Sequence, residues 1–233
     1  MKQFLAFIIF MSVISAKCQE VLVFTKTAGF RHESIEIGVE AIKKLGFKNN
    51  FEVFHTEDAS VFSKEQLERI KVVIFLNTTG DILNEEQQDN FEQFIKYGGG
   101  FVGIHSAADT EYDWEWYNQL VGAYFLSHPD QSNAEIIKTD VSHISTNHLP
   151  EVWHRFDEWY NYKSINQDVH VLLLLDENSY EGGENGDYHP IAWYHEFDGG
   201  KAFYTGGGHT KESYSEAAFL QHLLGGIWYC MGK

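Results

Sequence analysis

The sequence predicts an α/β fold in which a mainly parallel sheet carries helices on both faces. Three observations carry that reading. Short apolar runs alternate with amphipathic helical patterns through the first half of the chain, the βαβ order that goes with parallel strands. Two of the runs, VVIFLN (72–77) and FVGIH (101–105), are apolar at successive positions, as strands covered on both sides must be. Polar residues of uncommon type then follow the runs directly, and a parallel sheet brings such positions to one rim. At 233 residues, 43% of them hydrophobic, the chain suits one large domain better than two small ones.

The elements follow in order. EVLVF (20–24) is the first strand, and the polar loop TKTAGFRHES leads from it into a helix over SIEIGVEAIKKLG, whose Ile35, Val39, Ile42 and Leu45 share one face and which Gly46 should end. FEVFHT (51–56) is the second strand, SKEQLERI a short helix capped by Ser63, and VVIFLN the third strand. Asn84 caps the next helix, which turns Phe91, Phe94 and Ile95 inward and stops at the glycines of YGGG. FVGIH is the fourth strand. The second half is less regular, with strands expected at AEIIKT (134–139), VHVLLLL (169–175), PIAWYHEF (190–197) and KAFYTG (201–206), before a closing helix over SEAAFLQHLLGGIWYC. No repeat or linker divides the chain.

Residues 1–18, MKQFLAFIIFMSVISAKC, have the layout of a secretory leader: Lys2, an apolar run from Phe4 to Ile14, then small residues ahead of Gln19. The folded domain is therefore expected over 19–233, in the periplasm or secreted. The run is too short to span a bilayer, so no stable membrane anchor is expected. Loss of the leader would remove Cys18 and leave Cys230 as the one thiol, so the mature domain would hold no internal disulfide. It would also remove Lys2 and Lys17, taking the formal charge from −17 to −19. Such a surface excludes nucleic acid and anionic lipid as partners and favours a small neutral ligand. An oligomer is compatible with the sequence.

The stretch GGGFVGIHSAAD (98–109) leaves a strand and turns sharply, the layout of an elbow whose tip often holds a serine or cysteine nucleophile. Here the tip is His105. No cysteine lies nearby, and Ser106 is one residue past the tip, so a thiol mechanism is excluded and a serine triad poorly supported. Arg31 and His32 follow the first strand, Asn77, Thr78 and Asp81 the third, and His105, Ser106 and Asp109 the fourth. Later segments add His128, Asp157, Glu158, His189 and His209. Each histidine taken alone could be no more than a hydrogen-bonded structural residue. Their joint placement after strands points to a site.

Two chemistries suit imidazoles and carboxylates. One is general acid–base catalysis, for which His105, Glu158 and Asp109 are the candidates. The other is metal ligation by His105, His189, His209 and Glu158, a donor set for zinc or another divalent metal; no other cofactor is expected. No HExxH-type spacing is present, so the ligands must be assembled from distant segments. Tyr112, Trp114, Trp116, Trp159, Tyr160, Trp193 and Tyr194 surround these segments, and aromatic faces stack on sugar rings. Trp114 and Trp116, in the acidic loop EYDWEWY, are the candidates for a pocket wall, and His32, Arg31, Asp157 and His128 complete the substrate-binding set.

Six motifs in order, TKTAGFRHES, GGGFVGIHSAAD, LVGAYFLSHP, FDEWYNY, YHPIAWYHEF and FYTGGGHT, resemble the ThuA-like trehalose-utilisation family over essentially the whole chain from residue 20. The resemblance implies a flavodoxin-like three-layer sandwich related to class I glutamine amidotransferases, with His105 where those enzymes carry their cysteine. It also implies that His32, His105, Asp109, His128, Asp157, Glu158, His189 and His209 are the family's polar positions. The expected function is an exported carbohydrate-active protein that hydrolyses or isomerises a glycoside or keto-sugar. Two alternatives stand beside it: a non-catalytic sugar-binding module, and a metal-dependent hydrolase of another small neutral substrate.

Overall fold

The computed structural model describes residues 19–233; the leader reading of 1–18 lies outside the described residues. Five strands form the parallel half of one nine-stranded sheet: β1 (Gln19–Phe24), β2 (Phe51–Thr56), β3 (Ile70–Leu76), β4 (Gly100–Ile104) and β11 (Gly200–Thr205). The antiparallel half holds β6 (Ser132–Lys138), β7 (Val152–Asp157), β9 (His170–Asp176) and β10 (Pro190–Phe197). The order across the sheet is β2-β1-β3-β4-β11-β10-β9-β6-β7. A short hairpin-like pair, β5 (Tyr124–Ser127) and β8 (Asn161–Lys163), lies apart from it.

Helices cover both faces, as the alternation predicts. On one face α1 (Ile35–Asn49) packs with α5 (Ala217–Met231). The other carries α3 (Glu85–Lys96) and α4 (Glu115–Val121), whose Phe91 and Tyr117 stack on Phe75 of β3; the single-turn α2 (Lys64–Leu67) packs on α3. Residues of β3 and β4 are buried almost throughout, which is why those runs are continuously apolar. Asn84 caps α3 through a reciprocal pair with Gln87.

Two expectations are corrected. Helix α1 does not stop at Gly46 but continues to Asn49, and Asn50 at φ 59° terminates it. Gly46 is required by close approach instead: a Cβ there would lie 2.7 Å from the Phe51 carbonyl oxygen. Strand β7 was not foreseen because its alternation is inverted. Arg155 and Asp157 point inward while Val152 and Phe156 are exposed, since Arg155 is held between Glu216, Ser213 and the ring of Phe219. Among the described residues no helix is long and apolar enough to cross a membrane.

Helix α5 turns His222 fully inward, where Nδ1 donates to the Ser145 carbonyl at 2.9 Å and the ring lies 5.2 Å from Phe203. Burial pushes this imidazole down to about 3. Its contribution to stability is therefore whole above the unfolded value of about 6.5 and is lost as pH falls from there toward 3, by at most ~1.4 kcal/mol per pH unit. Thermal unfolding is expected to show Tm dropping between pH 7 and 5, less steeply in His222→Gln. Equal slopes in the two proteins would contradict the assignment.

Candidate functional site

The carboxyl ends of the parallel strands place four side chains together. Beyond β4, His105 takes φ 48°, a left-handed conformation that costs a non-glycine residue roughly 1–2 kcal/mol. Two contacts hold it there. Its Nδ1 lies 2.8 Å from the Gly206 carbonyl, which can only accept, so Nδ1 carries the proton and Nε2 presents a lone pair. Its own carbonyl accepts from the Tyr204 hydroxyl at 2.7 Å. Gly206 must be glycine, because a Cβ would run into the Tyr162 hydroxyl.

His209 arrives from the glycine run after β11. The backbone N–H groups of Gly208, His209 and Thr210 all donate to the Asp157 carboxylate, at 2.8, 3.1 and 3.3 Å. His32 comes from the loop after β1, which is pinned to the loop after β3: Ala28 N–H donates to the Thr79 carbonyl at 2.7 Å, and the Thr79 hydroxyl donates to the Phe30 carbonyl at 2.9 Å. The His32 ring is edge-on to those of His105 and His209, each 5.0 Å away. Glu158 directly follows β7.

One atom from each of His32, His105, His209 and Glu158 lies within 4.8 Å of the others. Glu158 Oε2 is 3.3 Å from His105 Nε2 and 3.0 Å from His209 Nδ1, and those two nitrogens are 3.2 Å apart. Donors at the corners of a tetrahedron around zinc, with bonds of about 2.0–2.1 Å, stand roughly 3.3 Å from one another. The electrostatics suit a cation as well. Burial, reinforced by its two histidine neighbours, pushes His32 down to about 2, so it is a neutral donor at any working pH. For Glu158 burial opposes ionisation, but the adjoining His105 and His209 rings outweigh it and hold the carboxyl below its usual range. Three imidazole nitrogens with one carboxylate are a donor set that fits zinc or a similar divalent ion.

The rim holds further groups. His128, in the loop after β5 and 43% exposed, sets Nδ1 3.3 Å from the outer oxygen of Glu158. Asp109 accepts from the Tyr112 hydroxyl at 2.6 Å, and burial raises its pKa despite that bond. The Tyr160 ring lies 4.2 Å from that of His105. Phe30 stays 65% exposed with its ring 4.9 Å from His32.

Other expected residues lie elsewhere. His189 is not in the donor group, because Glu177 engages its Nδ1 and the Tyr160 carbonyl its Nε2, both at 2.8 Å. Asp157 is fully buried and bound to backbone amides, Ser213 and Arg155, so it anchors the His209 loop rather than facing a substrate. Arg31 is exposed and paired with Glu36 and Glu57. Trp114 and Trp116 stack on each other against Phe91, with Trp116 bonded to Asp198 in the β10–β11 hairpin, at the opposite end of β11 from Gly206. They form no wall of this site. Sequence reasoning placed His32 among the substrate-binding residues and outside the candidate metal set, and it did not single out Phe30, although both stand in GFRHES.

A family model described as ThuA, trehalose utilisation, matches residues 20–230. Among solved structures the chain is similar to a putative ThuA-like protein from Bacteroides uniformis, at 24% identity and a TM-score of 0.77 over 92% of this chain and 93% of that one. It is also similar to a putative ThuA-like protein from Parabacteroides merdae, at 18% identity and 0.74 over 93% and 91%. A glutamine amidotransferase from Thermotoga maritima shares the fold at 11% identity and a TM-score of 0.55, over 92% and 99%. No curated protein matches the chain.

Proposed function

The chain belongs to the ThuA family, and from that premise we propose that it is a metal-dependent enzyme acting on a small neutral carbohydrate, hydrolysing or isomerising a glycoside or an oxidised sugar. The observation that carries the proposal is the group of four donor atoms of His32, His105, His209 and Glu158 within 4.8 Å of one another. A divalent ion held there would supply Lewis-acid polarisation and a water acidic enough to ionise near neutral pH. The chain's own part is to orient the donors. The Gly206 carbonyl fixes the tautomer of His105, and the Asp157 carboxylate fixes the backbone under His209.

Asp109, whose carboxyl is pushed up by burial, is the group suited to exchange a proton with substrate at the rim. The formal charge of −17 disfavours anionic ligands and agrees with a neutral sugar. The leader pattern of residues 1–18 would put this chemistry outside the cytoplasm, on sugars that carry no phosphate.

Protein purified without chelator is expected to carry about one equivalent of zinc or another divalent metal per chain, the occupancy of a single four-donor site. It should release or rearrange sugar from a panel of glycosides and keto-glycosides, lose that turnover on dialysis against a chelator, and regain it when the metal returns. Saturable sugar binding with no product would instead make the chain a binding module. Stoichiometric metal with turnover of non-sugar substrates alone would make it a hydrolase of another class. Absence of both metal and turnover overturns the proposal.

A further inference from the structure

We infer that the Tyr160 hydroxyl is the donor that meets a ligand oxygen at the His32–His105–His209–Glu158 centre, an inference that rests on the metal reading of that group. The ring of Tyr160 is only 3% exposed and is fixed on several sides. It lies 4.2 Å from His105 and 4.3 Å from Phe125, and it stacks toward His128 at 6.0 Å. Its backbone carbonyl accepts from His189 Nε2 at 2.8 Å, and His189 is anchored in turn by Glu177. This gives His189 a positioning task in place of ligation.

What sets Tyr160 apart is its hydroxyl. The other buried tyrosines all use theirs: Tyr117 donates to the Ala107 carbonyl, Tyr124 to Glu111, Tyr204 to His105 and Tyr214 to Gly208, while Tyr162 pairs with Tyr204. The Tyr160 hydroxyl makes no hydrogen bond to a described residue, although its ring packs on a metal donor and its strongest charged neighbours are Glu158 and Asp109. The hydroxyl is not one of the sealed polar atoms that lack a partner, so it keeps access to solvent beside the centre, where water or a bound molecule supplies its acceptor. At this position the acceptor is an oxygen of a molecule bound over the centre: a sugar hydroxyl, a carbonyl or an alkoxide. A phenol keeps its proton at neutral pH and so acts as a fixed donor.

The test uses the full chain loaded with Co(II), whose visible spectrum reports the donor set, and acetohydroxamate as an oxygen-presenting probe. Tyr160→Phe removes the hydroxyl and keeps the ring that packs on His105. The expected result is an unchanged Co(II) spectrum and stoichiometry, with acetohydroxamate bound about 10- to 100-fold more weakly than by the unsubstituted protein. Equal affinity in the two proteins overturns the assignment of Tyr160 and leaves the metal centre standing. Loss of Co(II) from Tyr160→Phe alone also overturns it, since the residue would then act on the donors rather than on the ligand. Failure of the unsubstituted protein to take up Co(II) overturns the metal reading and the Tyr160 inference together.

Discussion

Replacing His105 by asparagine is expected to leave the fold standing and the centre without metal. Asparagine is chosen because it tolerates the left-handed backbone, φ 48°, that His105 adopts, so the variant reads the loss of the imidazole rather than strain. It removes the nitrogen that lies 3.2 Å from His209 Nδ1 and 3.3 Å from Glu158 Oε2. A lost ligand must cost more than the 10- to 100-fold in affinity typical of a lost outer-shell partner, so metal content should fall from about one to below ~0.1 per chain, and turnover with it. His128→Asn is the control. Of the four grouped side chains it approaches only Glu158, at the outer oxygen, and it should retain metal. Full metal in His105→Asn, measured by elemental analysis on protein of unchanged circular dichroism, would rule out His105 as a ligand.

Asp157→Ala is expected to be the most destabilising single change near the site. The carboxylate is fully buried and accepts from three successive backbone amides, from the Ser213 hydroxyl at 2.9 Å and from the Arg155 guanidinium at 3.3 Å. Alanine leaves those amides unpaired and weakens the compensation of a buried cation that Glu216 then holds alone. Breaking such an arrangement costs about 3–5 kcal/mol, which for a domain of this size lowers Tm on the order of 10 °C. Because the freed loop carries His209, metal affinity should fall too. A Tm within about 2 °C of the unsubstituted protein would show that Asp157 faces a ligand instead, since that shift equals less than ~1 kcal/mol.

The parallel half of the sheet was legible because its physics is local. Two-sided burial makes β3 and β4 continuously apolar, and the helix faces between strands repeat with helical period. The elbow at His105 was legible for the same reason: a strand, a tight turn and small residues are adjacent in sequence. Grouping of His32, His105, Glu158 and His209 could be anticipated only as a class of residues placed after strands. What separates them from His189 is whether each ring already has partners, and Glu177 and the Tyr160 carbonyl are invisible to spacing. Strand β7, which delivers Glu158, hid behind an inward arginine and aspartate and an outward phenylalanine. Trp114 and Trp116 looked like a pocket wall because aromatic residues in an acidic loop suggest exposure. In the fold they meet Phe91 and the far hairpin.

Strand β11 is the last strand along the chain, yet it lies between β4 and β10 and is the one link between the two halves of the large sheet. A chain emerging from the ribosome therefore has roughly its first two hundred residues in hand before the central gap can close. Until then β4 and β10 present bare backbone edges, the kind that pair promiscuously with other chains. The late strand also brings His209, so closure of the sheet and completion of the donor group are one event. Metal supplied during refolding should reward only chains that have already inserted β11, and a C-terminal truncation before it would yield a sticky fragment rather than a weakened domain.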